Sequence, residues 1–406
     1  MHTRKLKYLL AIPLLFITAD IASAVTCSVP AGYPTIQAAV DDPTCDTVNV
    51  AAGVYAENVF ISRKVALNGA QAGQPTSGRV SGGPDESIVV GANPAGSQPV
   101  FNIGASSVTI DGFTVRNTVA ADAAIGVQIS SGSSDAVTLN NFIDGIISTG
   151  VGANGTAAAV WVRDGTASVN IGKNDIRNVT ADGAARGILI GDSGSLLGPA
   201  DFVYTHENAI SGITSATGGA AGVVVARISL TPDVFHFERN QISNVTGNAF
   251  AHGVRVECPI LDAPIIVNDF TNFSSASGDV VAIRLPDNTN GNYSDSSANN
   301  FNLPGTAYGV KVDGTFDNSL GPMNAFCNWW GSPDGPGPVG PGHGAQVSPH
   351  ILFNLWRMVP GGACVGSNAP VTEDDCKSGG WITHVRPDGT LFKSQGDCMQ
   401  FVNNGK

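Results

Sequence analysis

Two marks recur along this chain at one shared period, and that period restricts the fold more than any other property of the sequence. The first is an Asn, in one case an Asp, two residues before an apolar residue. It occurs at Asp111/Phe113, Asn140/Phe142, Asn174/Ile176, Asn208/Ile210, Asn240/Ile242, Asn268/Phe270, Asn299/Phe301 and Asn328/Trp330. Successive spacings are 29, 34, 34, 32, 28, 31 and 29 residues. The second mark is a small residue opening an alternating strand, from Gly126-Val127-Gln128-Ile129 and Ala159-Val160-Trp161-Val162 through to Gly309-Val310-Lys311-Val312.

Each period therefore holds short strands with one apolar face. A single unit cannot bury that face, whereas stacked units share a continuous core. Helical solenoids are excluded because no unit offers ten helix-compatible residues, and leucine-rich repeats need a denser Leu pattern. With 50 Gly the chain has the turn content of a disordered segment, but 42% hydrophobic residues placed periodically can build a core. The expected fold is all-β: a right-handed parallel β-helix with coils about 4.8 Å apart. The Asn column is expected to tolerate the left-handed conformation of a sharp turn and to stack its amides between coils.

The start of the chain reads as a signal peptide, residues 1–24. It has a basic opening (Arg4, Lys5, Lys7), an apolar run from Tyr8 to Ile17, and small residues Ala22-Ser23-Ala24. No later stretch is long and apolar enough to span a bilayer, so a soluble, secreted monomer is expected. Without residues 1–24 the chain carries 18 Lys+Arg against 32 Asp+Glu, a formal charge of −14. That balance argues against nucleic acid and anionic lipid as partners. The solenoid with its caps is assigned to residues 25–358, with a short amphipathic helix in Tyr33–Val40 closing the first coil. A Pro/Gly linker at 359–372 then leads to a small Cys-flanked module at 373–406. Seven cysteines in an exported chain suit three disulfides and one spare. Sequence proximity pairs Cys27 with Cys45, Cys327 with Cys364 and Cys376 with Cys398, leaving Cys258 reduced.

The opening coil (Val48-Asn49-Val50, Gly53-Val54-Tyr55, Glu57, Val59-Phe60-Ile61, Val65-Ala66-Leu67, Gly69) resembles that of the pectin-lyase-like superfamily. The repeats as far as Asn328 are similar to the same superfamily. The stretch Cys327-Asn328-Trp329-Trp330-Gly331 resembles the closing segment of bacterial secreted β-helix proteins. The Trp pair reads as an aromatic plug over the last coil or as a sugar-stacking platform, the plug being favoured. The unit Cys376–Phe401 resembles a small tail module of secreted actinobacterial proteins. Such a resemblance implies the fold and, more loosely, activity on carbohydrate. The superfamily's specific catalytic signatures, such as Gln/Asp pairs or an Arg-x-Pro-x-x-Arg element, are missing. Gly191-Asp192-Ser193-Gly194-Ser195 and Gly342-His343-Gly344 match protease and polygalacturonase motifs only locally. Nor do the histidines keep any metal-ligand spacing.

Two outward columns carry the remaining chemistry. The second position after each small residue reads Gln128, Trp161, Leu189, Val224, Arg255, Arg284, Lys311. Arg255, Arg284 and Lys311 form a basic ladder that could follow an acidic polysaccharide, with Trp161 stacking on a sugar; the alternative is a solvated face paired with Glu257 and Asp313. Three positions further on, Asp164, Asp192 and Arg227 fall on consecutive coils. They could hold Ca2+ and polarise a uronate carboxylate, or be Asp and Arg at turns for conformational reasons. The functional expectation is a secreted β-helix that binds or modifies an acidic extracellular polysaccharide, as a polysaccharide lyase if it is an enzyme. The rival is a non-enzymatic adhesive solenoid that contacts a cell-surface component without turning over glycan.

Overall fold

The computed structural model describes residues 24–93, 97–119, 123–152, 155–192, 200–228, 235–258, 263–286, 295–313, 323–340, 342–349, 351–366, 369–384, 386 and 392–404. The expected signal peptide lies outside these residues, apart from Ala24. The architecture is a parallel β-solenoid of about eight turns. Three long parallel sheets wrap one core. The first runs from Thr26–Val29 to Ile265–Ile266 in nine strands, the second from Gly53–Ala56 to Asn300–Asn302 in nine. The third has eleven strands; it starts at Val59–Ile61, and its coils end at Tyr308–Val312 before two closing segments. Each strand pairs with the strand one turn earlier and one turn later, as in Val127↔Val160↔Ile188↔Val223↔Val254↔Ile283↔Val310. These are the residues that follow the small-residue column, so the sequence period and the structural period coincide.

Inward residues such as Phe101, Phe113, Ile143, Ile176, Phe237, Phe270 and Phe301 are fully buried in one continuous core. The small residues are demanded by close approach. A Cβ on Gly187 would lie 2.5 Å from the Gly222 carbonyl oxygen and 2.8 Å from Ile210 Cγ2. Pairing skips this column, which changes the strand's phase: residues one before and two after each small residue both face outward.

A ladder of buried Asn side chains fills the corner between the first and second sheets. Asn208 is typical: its Oδ1 accepts from Asn174 N (3.0 Å) and Asn174 Nδ2 (3.1 Å), while its Nδ2 donates to Asn240 Oδ1 and Ile171 O (both 2.9 Å). Two expectations need correction. The ladder begins at Asn141, which donates to Asn174 Oδ1, and not at Asn140; the inward apolar residue there is Ile143, in register with Ile176. Asn140 instead donates to Asp111 Oδ1 at 2.9 Å, outside the ladder. Furthermore, the left-handed residue is not the ladder Asn but the one before it: Asn140, Lys173, Glu207, Arg239, Val267, Ala298 and Cys327 all have φ between 51° and 60°. The Asn amides fix the corner from the inside, and the strained position accepts whatever precedes them. Val267 is β-branched and exposed at φ 59°, so Val267→Gly is expected to stabilise the protein by about 1 kcal/mol. A urea midpoint that falls in this variant would contradict the assignment of strain.

Both ends are closed. The short helix Ile36–Asp41 buries Ile36, Ala39 and Val40 over the first coil. Thr35 caps its start, and Glu57 accepts from the Ile36 and Gln37 amides at 3.0 Å each. Cys27–Cys45 lies beside it. At the other end Trp330 is fully buried and packs against Phe301 in a tilted arrangement with centroids 5.0 Å apart, with Phe353 and Trp356 beyond and Cys327–Cys364 alongside. The tail has its own small core of Cys376, Cys398 and Phe392, with Cys376–Cys398 as its third bridge. All three pairings match the sequence reading, and Cys258 is free. No helix among the described residues is long and apolar enough to cross a membrane.

Candidate functional site

The outer face of the third sheet carries the chemistry, because two side-chain columns stand on it side by side. One reads Ala158, Arg186, Ala221, His252, Val281; the other Trp161, Leu189, Val224, Arg255, Arg284, Lys311. Neighbours in a column are one coil apart, about 4.8 Å. A cleft of about 580 Å³ opens across four of these coils. Its floor is apolar: Leu189 and Val224 point outward and yet are buried, packed with Ala158 and Ala221 into a cluster separate from the main core. The sequence reading had placed Leu189 and Val224 on an exposed column; they form the base of a depression instead.

At one end stands Trp161, with the Arg163 guanidinium 4.4 Å from its ring centroid. Trp161 Nε1 is buried with no hydrogen-bond partner. At the other end stands Glu257, held by Arg255 at 2.6 Å. Arg186 enters the cleft from the neighbouring column. It has no hydrogen bond or ion pair among the described residues. Burial lowers its proton affinity below the usual guanidinium value; Glu257 opposes that shift and Arg255 adds to it. An unpaired, half-buried guanidinium beside an apolar floor has the chemistry to pair with an anion.

Arg186 was missed in the sequence because the column was followed only forward from each small residue. The phase change at Gly187 puts the residue before it on the outside too. Reading one position backward gives Ile125, Ala158, Arg186, Ala221, His252, Val281 and Tyr308, in which Arg186 is the only cation.

The basic ladder has the expected register, Arg255↔Arg284↔Lys311. Every rung of it is neutralised. Arg255 pairs with Glu257, Arg284 with Asp313, and Lys311 with Asp279 at 2.6 Å. Asp279 also accepts from His252 Nε2 at 3.0 Å, and this bond, reinforced by Lys311, holds the Asp279 carboxyl well below the usual carboxylate range. His252 itself is buried and stacked on Phe250, and burial lowers its proton affinity.

Asp164, Asp192 and Arg227 are brought together as the column implied. Asp164 is fully buried; its Oδ1 accepts from the Asp192 backbone N–H at 2.9 Å and its Oδ2 from Arg227 Nη1 at 3.1 Å. The Asp192 carboxylate turns the other way, to Arg163 Nε at 2.7 Å, and lines the cleft. Both Asp164 oxygens are thus committed to joining consecutive coils, and Ca2+ could reach this carboxylate only after the Arg227 pair opened. Among the described residues no group of three or more His, Cys, Asp or Glu is placed to hold a metal ion. No protein-family model, curated protein or solved structure matches the chain.

Proposed function

We propose that this is a secreted, divergent member of the pectin-lyase-like superfamily that binds an acidic extracellular polysaccharide in the cleft between Trp161 and Glu257. The observation that carries the reading is Arg186: a cation without an ion pair, lining one cleft with Trp161 and a floor of Leu189 and Val224. Sugars present apolar C–H faces and ringed hydroxyls, which suit the floor and the Trp161 indole, while a uronate carboxylate suits the guanidinium. The three disulfides fit an oxidising compartment.

One observation favours binding without turnover. A lyase using Asp164 and Arg227 would need them open to substrate, whereas Asp164 is fully buried and holds Arg227 in an ion pair. A charge-assisted hydrogen bond to a carboxylate contributes about 2 kcal/mol. Arg186→Gln is therefore expected to weaken binding to an acidic glycan by roughly 10- to 100-fold. Its unfolding midpoint should hardly move, since no partner is stranded by the change. A glycan array probed with the mature protein and with this variant checks both points. Equal signals from the two proteins, or no acidic glycan bound by either, would remove the basis of the reading.

A further inference from the structure

Resting on the acidic-glycan reading, we infer that the cleft selects a sparsely charged glycan, in which a carboxylate-bearing sugar is flanked by uncharged sugars, over a polyuronate. The inference comes from how the charges on this face cancel. Arg163 is taken by Asp192, Arg255 by Glu257, Arg284 by Asp313 and Lys311 by Asp279. Along both outward columns, from Trp161 to Lys311, Arg186 alone among the described cations makes no ion pair or hydrogen bond; Glu257 acts on it only from a distance and is held by Arg255. Trp161 and Arg255 are three coils apart, about 14 Å, so a short run of sugars spans the cleft from one wall to the other.

A first carboxylate placed on Arg186 gains a charge-assisted pair and relieves a guanidinium that burial already disfavours as an ion. A second or third carboxylate in the same run would lie over Leu189, Val224 and Ala226, none of which offers a side-chain donor. It would lose water and gain nothing. The free end of Asp192 and the carboxylate of Glu257 also border this run, and both repel it. At longer range the chain carries a formal charge of −12, which opposes a dense polyanion more than a dilute one.

Backbone-matched probes isolate charge density. Carboxymethyl-cellulose and homogalacturonan are each prepared at high and at low charge density, the latter by methyl esterification for the second polymer. Binding of the full protein is measured by titration calorimetry in buffer of moderate salt. The low-density preparation is expected to bind about tenfold more tightly than its high-density counterpart. Arg186→Gln should erase that preference by weakening the low-density complex. High-density polymer binding as tightly or more tightly, on every backbone that binds, would overturn the inference and leave the acidic-glycan reading standing. Failure of all four preparations to bind would overturn both.

Discussion

Asn208→Ala should destabilise the solenoid by about 4 kcal/mol or more, an effect expected of any fully bonded amide inside the ladder. The change removes the acceptor for two Asn174 donors and the donor to Ile171 O and Asn240 Oδ1. Each such bond contributes about 1 kcal/mol net, and stranded buried partners add more. Asn208 is 1% exposed, so water cannot replace what is lost. Asn140→Gly makes the matched control, because Asn140 lies next to the ladder, at φ 51°, and donates only to Asp111. It should shift stability by less than about 1 kcal/mol. Chemical denaturation of the two variants separates the ideas: equal losses would mean that the amide ladder is not what fixes the corner.

A loss of similar size is expected from Phe270→Ala, for a different reason. Phe270 is fully buried, stacks on Phe301 with centroids 5.6 Å apart and meets Phe273 edge-on at 6.4 Å. Truncation removes the transfer free energy of the ring and leaves a cavity that coils held rigidly by their neighbours cannot close. Large aromatic truncations of this type cost about 3–5 kcal/mol. Phe60, half exposed on the outer face of the third sheet, should lose less than about 1 kcal/mol on the same substitution. Comparable losses at both sites would contradict a core confined to the inside of the coil.

How far the sequence revealed this molecule depends on whether a property repeats. The period, the strand column and its register were legible because every coil enforces them on the next. The disulfides were legible because each joins cysteines close in sequence at an end or in the tail. The corner was read less well. Asn140 and Asn141 are adjacent, and nothing local says which amide turns inward; the hydrogen bond to Asn174 decides it. The left-handed conformation was placed on the Asn because Asn tolerates it, yet the backbone puts it one residue earlier, even on Val267. The site was hidden more deeply. The neutralised ladder was legible in part: Glu257 and Asp313 were named as counter-charges and hold Arg255 and Arg284, whereas Lys311 and its acid Asp279 are separated by a full coil and could not be matched from the sequence. Leu189 and Val224 look like chance apolar residues on an outer face until their neighbours Ala158 and Ala221 are seen beside them. Arg186 required knowing that the strand changes phase at Gly187.

Because each strand meets only the strand one turn before and one turn after, partners in register stay about one coil apart in sequence however long the solenoid grows. Closing a loop of that size carries an entropy that rises only with the logarithm of its length, so the tenth turn is no harder to form than the second. Growth can therefore be vectorial. The helix Ile36–Asp41 and its Cys27–Cys45 staple form one finished end, and the exposed strand edges above them template the next turn as chain becomes available. A polypeptide delivered end-first through a narrow pore could wind itself up in the order it emerges, without waiting for its C-terminus.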